Sequence, residues 1–525
     1  MSSNRIFFLF SLILLVAISG CTSKVPTSST GSTALVALSC SSSATPYGGG
    51  SGSVAAPYLI CSAAQLLAID QNMSSNFLLT ADLNLTSVTF SPIGTSDADT
   101  FTGTFDGGSH TISHLSYANT SDANSVGLFR VLDSGSTVKN LNLQIDLFNG
   151  NNIVGGVAGY AIHTTLNNVS VTGTLNGNAT IGGAIGEAVE ASTFTNVTTA
   201  GTVYSRVSGT RIYSNGAAGQ TDCGAGGVLG IIHQGAVNLG MTNMTNVSSS
   251  ATVTWNPGGS QGAGWVSAGG ILGYGAHFSC INCTSTGSIT GYVAVSGIAG
   301  ALDGSDNIVT NATVTGTMTG GDSVAGVVGS ASSGVIISES SFIGTLSSTG
   351  DSVGGILGGG CGDTVRQSFV KANITGNTSV GGVIGSFCVN DVEDSYAIGS
   401  VTVTNTDAGQ SNYGGAGIAG SGWSTCTANH SFASVAVTAT NGAFIKAFGD
   451  YYCTPTTSSL FYRTSVTTTT DTIALGLSDV QMVSSASYTG FDFTNIWKMP
   501  LVNPLNNILT PVLAWQCGKN GVVCP

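Results

Sequence analysis

The chain has 525 residues, of which only 12 are Lys or Arg and 25 are Asp or Glu, so its formal net charge is −13. This acidic balance argues against nucleic-acid binding, because contact with phosphates requires a basic surface. A hydrophobic share of 42% excludes a disordered chain, and the 75 glycines lack the three-residue period of collagen.

The first twenty residues have the pattern of an export signal. Arg5 supplies a positive charge, residues 6–18 are almost wholly apolar, and small residues lead to Cys21. The apolar stretch is shorter than the about 20 residues that a membrane-spanning helix needs. The segment Ile18-Ser19-Gly20-Cys21 resembles a bacterial lipobox, which implies cleavage before Cys21, a lipid anchor on Cys21 and, because Thr22 follows, an outer-membrane location. An ordinary secretory signal is the alternative.

A tether and a short helix are expected before the main body. Residues 21–55 are rich in Gly and Ser, and such a chain behaves as a flexible coil. Ser62 is placed to cap a helix over residues 63–69, since Ala, Gln and Leu favour helices. We interpret this helix as the cap of the N-terminal end of the folded body.

The body, residues 56–475, consists of many copies of one sequence repeat. The pattern apolar-Gly-Gly-apolar-apolar-Gly occurs at 154–159 and 181–186 and returns every 27–29 residues, with three insertions. About ten residues after each copy comes a β-branched run such as 168–175 or 311–318. These runs alternate with a period of two and are bounded by Gly and Asn, which is typical of short strands.

Short strands at a fixed period predict an all-β parallel β-helix, with coils of about 27–29 residues. Each strand would pair with its equivalent in the next coil, Val, Ile and Leu would fill the inside, and Gly would form the corners. A sandwich or barrel is the alternative, but it does not explain the strict period. The repeats stop near residue 470, and residues 476–525, with a short helix at 477–482, are expected to form a C-terminal cap.

At this point the sequence resembles a known family. The ordered segments at 57–66, 77–83, 101–112 and 126–141, and the closing segments at 491–497 and 511–513, are similar to GLUG-motif bacterial surface proteins. The resemblance covers roughly residues 50–516. It implies a right-handed parallel β-helix and a role in surface adhesion or display, and it carries no catalytic residues to transfer.

Cysteine usage predicts disulfides, because an exported chain meets an oxidising environment. Cys361 and Cys388 lie one period apart at the same repeat position, so they should stack on coils about 4.8 Å apart, within reach of a disulfide. The other candidate pairs are Cys426 with Cys453, Cys40 with Cys61, and Cys517 with Cys524. Cys223, Cys280 and Cys283 remain, and parity leaves one of these three unpaired.

Metal and cofactor chemistry find little support in the sequence. His277, Cys280 and Cys283, with Cys223 as a fourth donor, have a spacing similar to that of metal ligands. Residues three apart on a strand point to opposite faces, and the expected compartment is oxidising. The sequence therefore predicts no metal and no cofactor.

Acidic residues raise the alternative of a hydrolase or lyase that acts on polysaccharides. A glycosidase needs two carboxylates about 5–10 Å apart. Candidates on neighbouring coils are Asp322, Asp351, Asp363, Asp391, Glu393 and Asp394, with Arg366 and Lys371 beside them. The simpler interpretation is solvated turns, and a lyase for acidic sugars would need more cations in one groove. We therefore predict that the chain is not an enzyme.

The three insertions, near 203–223, 253–266 and 402–414, should leave the same edge of the solenoid. Insertions often map to a binding face, and Tyr, Trp and Arg are enriched in binding sites. The candidate ligand-binding residues are Tyr204, Arg206, Arg211, Tyr213, Trp255, Trp265 and Tyr413. The alternative is that these aromatic side chains cover the solenoid core.

The sequence therefore predicts a lipid-anchored, non-enzymatic protein of the outer membrane or cell surface. Its expected partners are the membrane and a surface glycan or protein, and its oligomeric state is open. A structural coat protein is a further alternative. Ice binding by rows of Thr is less favoured, because the row of Thr315 and Thr317 continues with Ile343, Lys371 and Ile398.

Overall fold

The computed structural model describes residues 39–122, 124–189, 191–206, 223–233, 240–255, 266–388, 390–404, 414–422, 426–440, 444–449, 453–455, 459–467, 469 and 471–525. The predicted signal peptide and lipidated Cys21 lie outside these residues. Within them the chain is an all-β parallel solenoid, as the repeat predicts. None of the helices in this part of the chain has the length and apolar character needed to span a bilayer.

Most coils contribute strands to three flanks of the solenoid. Among the described residues, a long sheet has 27 strands, a second sheet has 11, and the third flank consists of a five-stranded and a four-stranded sheet joined by isolated bridges. Strands pair in parallel with their equivalents one coil away, so that residues in register form columns along the solenoid. The right-handed winding stays a prediction.

The long sheet is bent, so most coils give it two strands or more. Its strands are Tyr58–Ile60, Phe77–Leu79, Leu83–Asn84, Thr104–Asp106, Thr111–Ala118, Thr137–Asn149, Thr165–Gly177, Thr193–Ser205, Thr242–Thr245, Ser248–Ser249, Thr252–Trp255, Phe278–Ile281, Thr284–Ser285, Ile289–Thr290, Ile308–Thr310, Thr313–Gly320, Ile336–Ser338, Ser341–Ser348, Thr364–Arg366, Phe369–Gly376, Asp391–Glu393, Tyr396–Val403, Cys426–Asn429, Ser431–Ala439, Cys453–Pro455, Leu460–Arg463 and Leu475–Leu477.

The remaining strands form the other flanks and one small ribbon. The second sheet contains Thr100–Phe101, Phe129–Leu132, Ala158–Ala161, Ile185–Val189, Leu229–His233, Leu272–Ala276, Ala299–Asp303, Val328–Ala331, Leu357–Cys361, Ile384–Cys388 and Ala419–Gly422. The third flank contains Ile153–Gly155, Thr180–Gly182, Cys223–Gly226, Val266–Gly269, Ala294–Ser296, Asp351–Gly354, Thr378–Gly381, Gly415–Ala416 and Ile445–Lys446. An antiparallel ribbon near the C terminus pairs Trp497–Lys498 with Val512–Leu513.

Short helices lie at both ends of the described chain. They are the α-helices Ala63–Leu67 and Asp479–Met482 and the 3-10 helices Ala68–Gln71, Ser485–Ser487 and Ala514–Gln516. The Ser62 hydroxyl accepts the Gln65 N–H at 3.4 Å, as expected of an N-cap. Leu66 and Ile69 are fully buried and close the N-terminal end of the core.

The repeated Gly pair is required by close packing of the backbone. A Cβ on Gly182 would lie 1.8 Å from the Ile185 carbonyl oxygen, and one on Gly183 would lie 2.0 Å from the Gly227 carbonyl oxygen in the next coil. Any side chain here would push the corner open or separate adjacent coils. The flanking apolar residues, such as Ile181 and Ile185, are fully buried in the solenoid core.

An asparagine ladder marks the bend of the long sheet. Six asparagines at this bend have left-handed backbone conformations, with φ between 50° and 57°. They are Asn140, Asn168, Asn196, Asn246, Asn282 and Asn311. From Asn168 onward, each side-chain amide donates to the amide oxygen of the asparagine in the preceding coil, at distances of 2.7–3.2 Å. At one end of the ladder the Asn140 amide donates to the Asp106 carboxylate, and at the other end the Asn311 oxygen accepts from the Lys519 ammonium. Because hydrogen bonds in a chain polarise one another, a negative charge at the donating end and a positive charge at the accepting end stabilise the ladder.

Four disulfides are present in the described part of the chain. Three join predicted partners: Cys40 with Cys61, Cys361 with Cys388, and Cys517 with Cys524. The fourth joins Cys280 to Cys283, two of the cysteines that the sequence left open, and so removes them from a metal site. The backbone of Cys426 lies in register with that of Cys453, and their disulfide stays a prediction because their side chains lie outside the described part.

Residues 476–525, here called the C-terminal module, pack on the side of the solenoid. The module covers a column of the long sheet that reads Phe369, Tyr396, Phe432 and Phe461. Trp497 is fully buried against this column in a second hydrophobic core. The predicted C-terminal cap is therefore also a lateral cover.

Candidate functional site

The predicted ligand edge is described only in part. Arg211, Tyr213, Trp265 and Tyr413 lie outside the described residues. Trp255 ends the strand Thr252–Trp255, is only 2% exposed and belongs to the solenoid core. The prediction that Trp255 stacks on a ligand is therefore wrong. Inward and outward positions alternate along its strand, and the indole of Trp255 points inward.

Tyr204 and Arg206 lie at the end of a neighbouring strand, and both are partly buried. The Arg206 guanidinium donates to the Asn178 side-chain oxygen at 3.0 Å, to the Gly150 carbonyl at 2.5 Å and to the Asn149 side-chain oxygen. Desolvation lowers the pKa of Arg206. These contacts tie three successive coils together, so Arg206 has a structural role at this edge.

Several of the carboxylates proposed for catalysis bond to neighbouring coils. The Asp351 N–H donates to Asp322 Oδ1 at 2.9 Å, and the hydroxyl of Thr378, one coil further on, donates to Asp351 Oδ1. Asp391 is exposed and accepts the Thr427 hydroxyl. Asp351 and Asp391 begin strands rather than lying in the turns that the sequence predicts.

Asp363 is buried and only 1% exposed. Its Oδ1 accepts the Val335 N–H at 2.9 Å, whereas its Oδ2 is buried without a hydrogen-bond partner. Burial raises the pKa of Asp363 to about 7, against the lowering effect of the hydrogen bond from the Val335 N–H. A carboxyl group closed off from solvent cannot act on a polymeric substrate.

Glu393, Asp394 and His430 form the one group of three His, Cys, Asp or Glu side chains in the described residues whose potential ligand atoms all lie within 4.8 Å. Asp394 Oδ1 accepts the Trp497 indole N–H at 3.0 Å and lies 3.7 Å from His430 Nδ1. Burial raises the pKa of Asp394, and the bond from Trp497 lowers it. These contacts make Asp394 an anchor for the C-terminal module.

The outer face of the long sheet carries the polar surface of the solenoid. One outward column reads Ser170, Thr198, Ser248, Thr284, Thr313 and Ser341 and continues into the aromatic column under the C-terminal module. All six of these residues carry hydroxyl groups, although Ser341 is only 2% exposed, and the column becomes aromatic from Phe369 onward, where the module covers it. Beside its exposed part lies a shallow hollow of about 310 Å³, lined mainly by Ser and Thr.

A larger groove of about 560 Å³ lies where the face meets the edge of the module. Its floor consists of two outward columns on three adjacent coils, and its wall is the loop 504–507. The floor side chains are Ile343, Lys371 and Ile398 in one column and Thr345 and Asn373 in the other, continued by Ser400. The Lys371 ammonium donates to the Pro504 carbonyl at 3.2 Å and so connects floor and wall.

The groove could not be predicted from the sequence. The repeat predicts that Ile343, Lys371 and Ile398 lie in one column, and the strand register confirms this and places Thr345 and Asn373 in the adjacent outward column. The missing information was the position of loop 504–507, more than 100 residues further along the chain. The aromatic column from Phe369 to Phe461 was the available signal that something covers this face.

Comparisons with known proteins give a partial similarity. No family model matches the chain, so the resemblance to GLUG-motif proteins stays a prediction. A stretch of 140 residues is 40% identical to Halomucin from Haloquadratum walsbyi, and this match covers 24% of the chain and 2% of Halomucin. The chain thus matches only a small fraction of that protein's length.

Two solved structures have a low similarity to this fold. One is a candidate immunoglobulin A1 protease from Bacteroides ovatus, with 15% identity over 90% of this chain and 96% of the other, and a TM-score of 0.32. The second is an IgA1 protease, with 15% identity over 77% of this chain and 21% of the other, and a TM-score of 0.30. At these TM-scores neither structure informs the function.

Proposed function

We propose that this chain is an exported, non-enzymatic surface protein that binds extracellular glycan or protein through the outer face of its long sheet. The observation that carries the proposal is the unbroken column of hydroxyl side chains along this face, which are exposed or partly exposed from Ser170 to Thr313. The face presents hydrogen-bonding groups at the coil spacing of about 4.8 Å, a regular array that suits an extended partner.

Two further observations support an exported surface protein. Four disulfides in the described residues fit an oxidising environment outside the cytoplasm. The stretch similar to Halomucin supports a surface location. Lipid attachment at Cys21 in the outer membrane belongs to the same proposal. The predicted tether of residues 21–55 is too long, because Cys40 is bonded to Cys61 and Tyr47 is buried in the solenoid core; a spacer between lipid and solenoid would therefore end before Cys40.

A hydrolase or lyase finds less support in the described geometry. Asp363 is buried, Asp322 and Asp351 are hydrogen-bonded between neighbouring coils, and Asp394 accepts the Trp497 indole N–H. A general acid needs access to the glycosidic oxygen and a partner carboxylate at a defined separation.

The test is a binding screen of the purified full chain against glycans and surface proteins, with each bound glycan assayed for cleavage products. Saturable binding without products is the expected result. Thr172→Arg and Thr315→Arg place large cations on the face and should weaken binding. Ser386→Arg, on the second sheet, is the matched control. Cleavage products, or equal binding by all variants, would contradict the proposal.

A further inference from the structure

The groove beside loop 504–507 has the features of a dedicated ligand site. Its volume of about 560 Å³ lies within the range of small-molecule pockets. Its floor rests on strands that are hydrogen-bonded to neighbours on both sides, from Ser341–Ser348 through Phe369–Gly376 to Tyr396–Val403. The floor is therefore rigid, and the Cys517–Cys524 disulfide constrains the module behind the wall.

The side chains of the groove combine apolar surface with uncharged hydrogen-bonding groups. Ile343 is partly exposed and provides apolar surface, whereas Ile398 and Leu505 are only 8% and 6% exposed and belong to the core under the module. Thr345, Asn373 and Asn507 provide hydroxyl and amide groups, and Asn373 and Asn507 are exposed. The Asn373 side-chain oxygen accepts the Ser400 hydroxyl at 2.9 Å, which orients its amide N–H₂ as a donor toward solvent.

The charge of the lining narrows the class of ligand. Lys371 is the one charged residue among the lining residues, and its ammonium already donates to the Pro504 carbonyl. A polyanion would find a single, partly engaged cation on a chain of net charge −13. A ligand with hydroxyl groups and apolar C–H faces matches the lining better.

A peptide is the less suitable occupant. Extended peptides commonly bind by adding a strand to a free sheet edge. At this groove the three floor strands are each paired on both sides, so no free edge is available. Recognition must come from side chains, which is how hydroxyl-rich small molecules are held.

We infer that this groove is a binding site for a neutral saccharide. The apolar face of a sugar ring would lie on Ile343, and its hydroxyls would meet Thr345, Asn373 and Lys371. This inference rests on the proposed function and specifies its site and ligand class.

The experiment is isothermal titration of the full chain with neutral oligosaccharides, namely cellohexaose, mannohexaose, maltohexaose and chitohexaose, and with polygalacturonate as the anionic comparison. Asn373→Ala removes one hydrogen-bonding group and should weaken binding of the preferred neutral sugar by about fivefold. Thr345→Trp fills the groove and should abolish binding. Thr317→Ala, in the same column one coil outside the groove, should leave the affinity unchanged.

The outcomes separate the inference from the proposed function. Saturable binding of a neutral sugar that Thr345→Trp leaves intact would overturn the groove assignment while the surface-binding function stands. Preference for polygalacturonate would overturn the ligand class. Failure of every saccharide to bind would overturn the inference, and the proposed function would fail with it only if the wider screen also found no partner. Circular dichroism and melting of each variant exclude misfolding as the cause.

Discussion

Replacing Asp363 by Asn should stabilise the protein, and the gain should depend on pH. Strand register places Asp363 in one column with Asn307, Val335 and Asn390. Asn307 uses both ends of its amide: Oδ1 accepts the Phe278 N–H, and Nδ2 donates to the Asp303 and Gly304 carbonyls. Asp363 reproduces the acceptor half of this arrangement, whereas its Oδ2 is buried without a partner.

The magnitude follows from the pKa of Asp363, which burial raises from 3.8 to about 7. A change of this size corresponds to about 4 kcal/mol. Because the folded protein holds this proton more tightly than the unfolded chain, Asp363 lowers the free energy of unfolding as pH rises from about 4 to about 7. Asp363→Asn should therefore add up to about 4 kcal/mol at pH 8 and little at pH 4.

The assay is urea denaturation of wild type and Asp363→Asn at pH 4, 6 and 8 with the disulfides intact, comparing midpoints. Asp391→Asn, an exposed carboxylate on the next coil, is the control and should show no such pH-dependent gain. Asn390→Asp introduces the converse change and should destabilise the protein mainly above pH 7. A gain from Asp363→Asn that is the same at all three pH values would refute the reasoning, as would a loss at pH 8.

Three further predictions concern the solenoid. Trp255→Ala should cost about 3–5 kcal/mol in a thermal or urea unfolding experiment, because it empties a core position, and Trp255→Phe should cost less. Asn196→Ala breaks two ladder bonds and should cost about 2 kcal/mol, whereas Asn196→Gly should recover the part due to the left-handed backbone. Replacing Cys361 and Cys388 by Ser opens a 27-residue loop and should lower stability by about 3.5 kcal/mol, measured against wild type under oxidising and reducing conditions.

Each of these predictions has a contradicting outcome. A Trp255→Ala protein of unchanged stability that has lost ligand binding would return Trp255 to the binding surface. Equal stability of the Ala and Gly variants at Asn196 would show that the backbone conformation contributes nothing measurable. A Cys-to-Ser double variant as stable as oxidised wild type would show that the adjacent coils do not need this disulfide.

Only the floor of the candidate groove could be predicted from the sequence; its wall could not. The spacing of Thr345, Asn373 and Ser400 along the repeat fixes their column, since parallel pairing puts equivalent positions in register. The wall at 504–507 comes from a segment outside the repeat, so no periodicity relates it to the floor. The residue type also could not show that Trp255 points inward, because aromatic residues are common both in binding sites and in cores.

The sequence by itself determined that this protein is a parallel solenoid. A strict period of 27–29 residues, with alternating β-branched residues and paired glycines, is explained by stacking equivalent short strands in successive coils. It also determined that Cys361 meets Cys388, because the two occupy the same position in successive repeats. Only the tertiary structure decided where the C-terminal module lies, which carboxylates are buried and where a groove opens. These depend on contacts such as Lys371 with Pro504 and Trp497 with Asp394, which join residues more than 100 positions apart that no repeat relates.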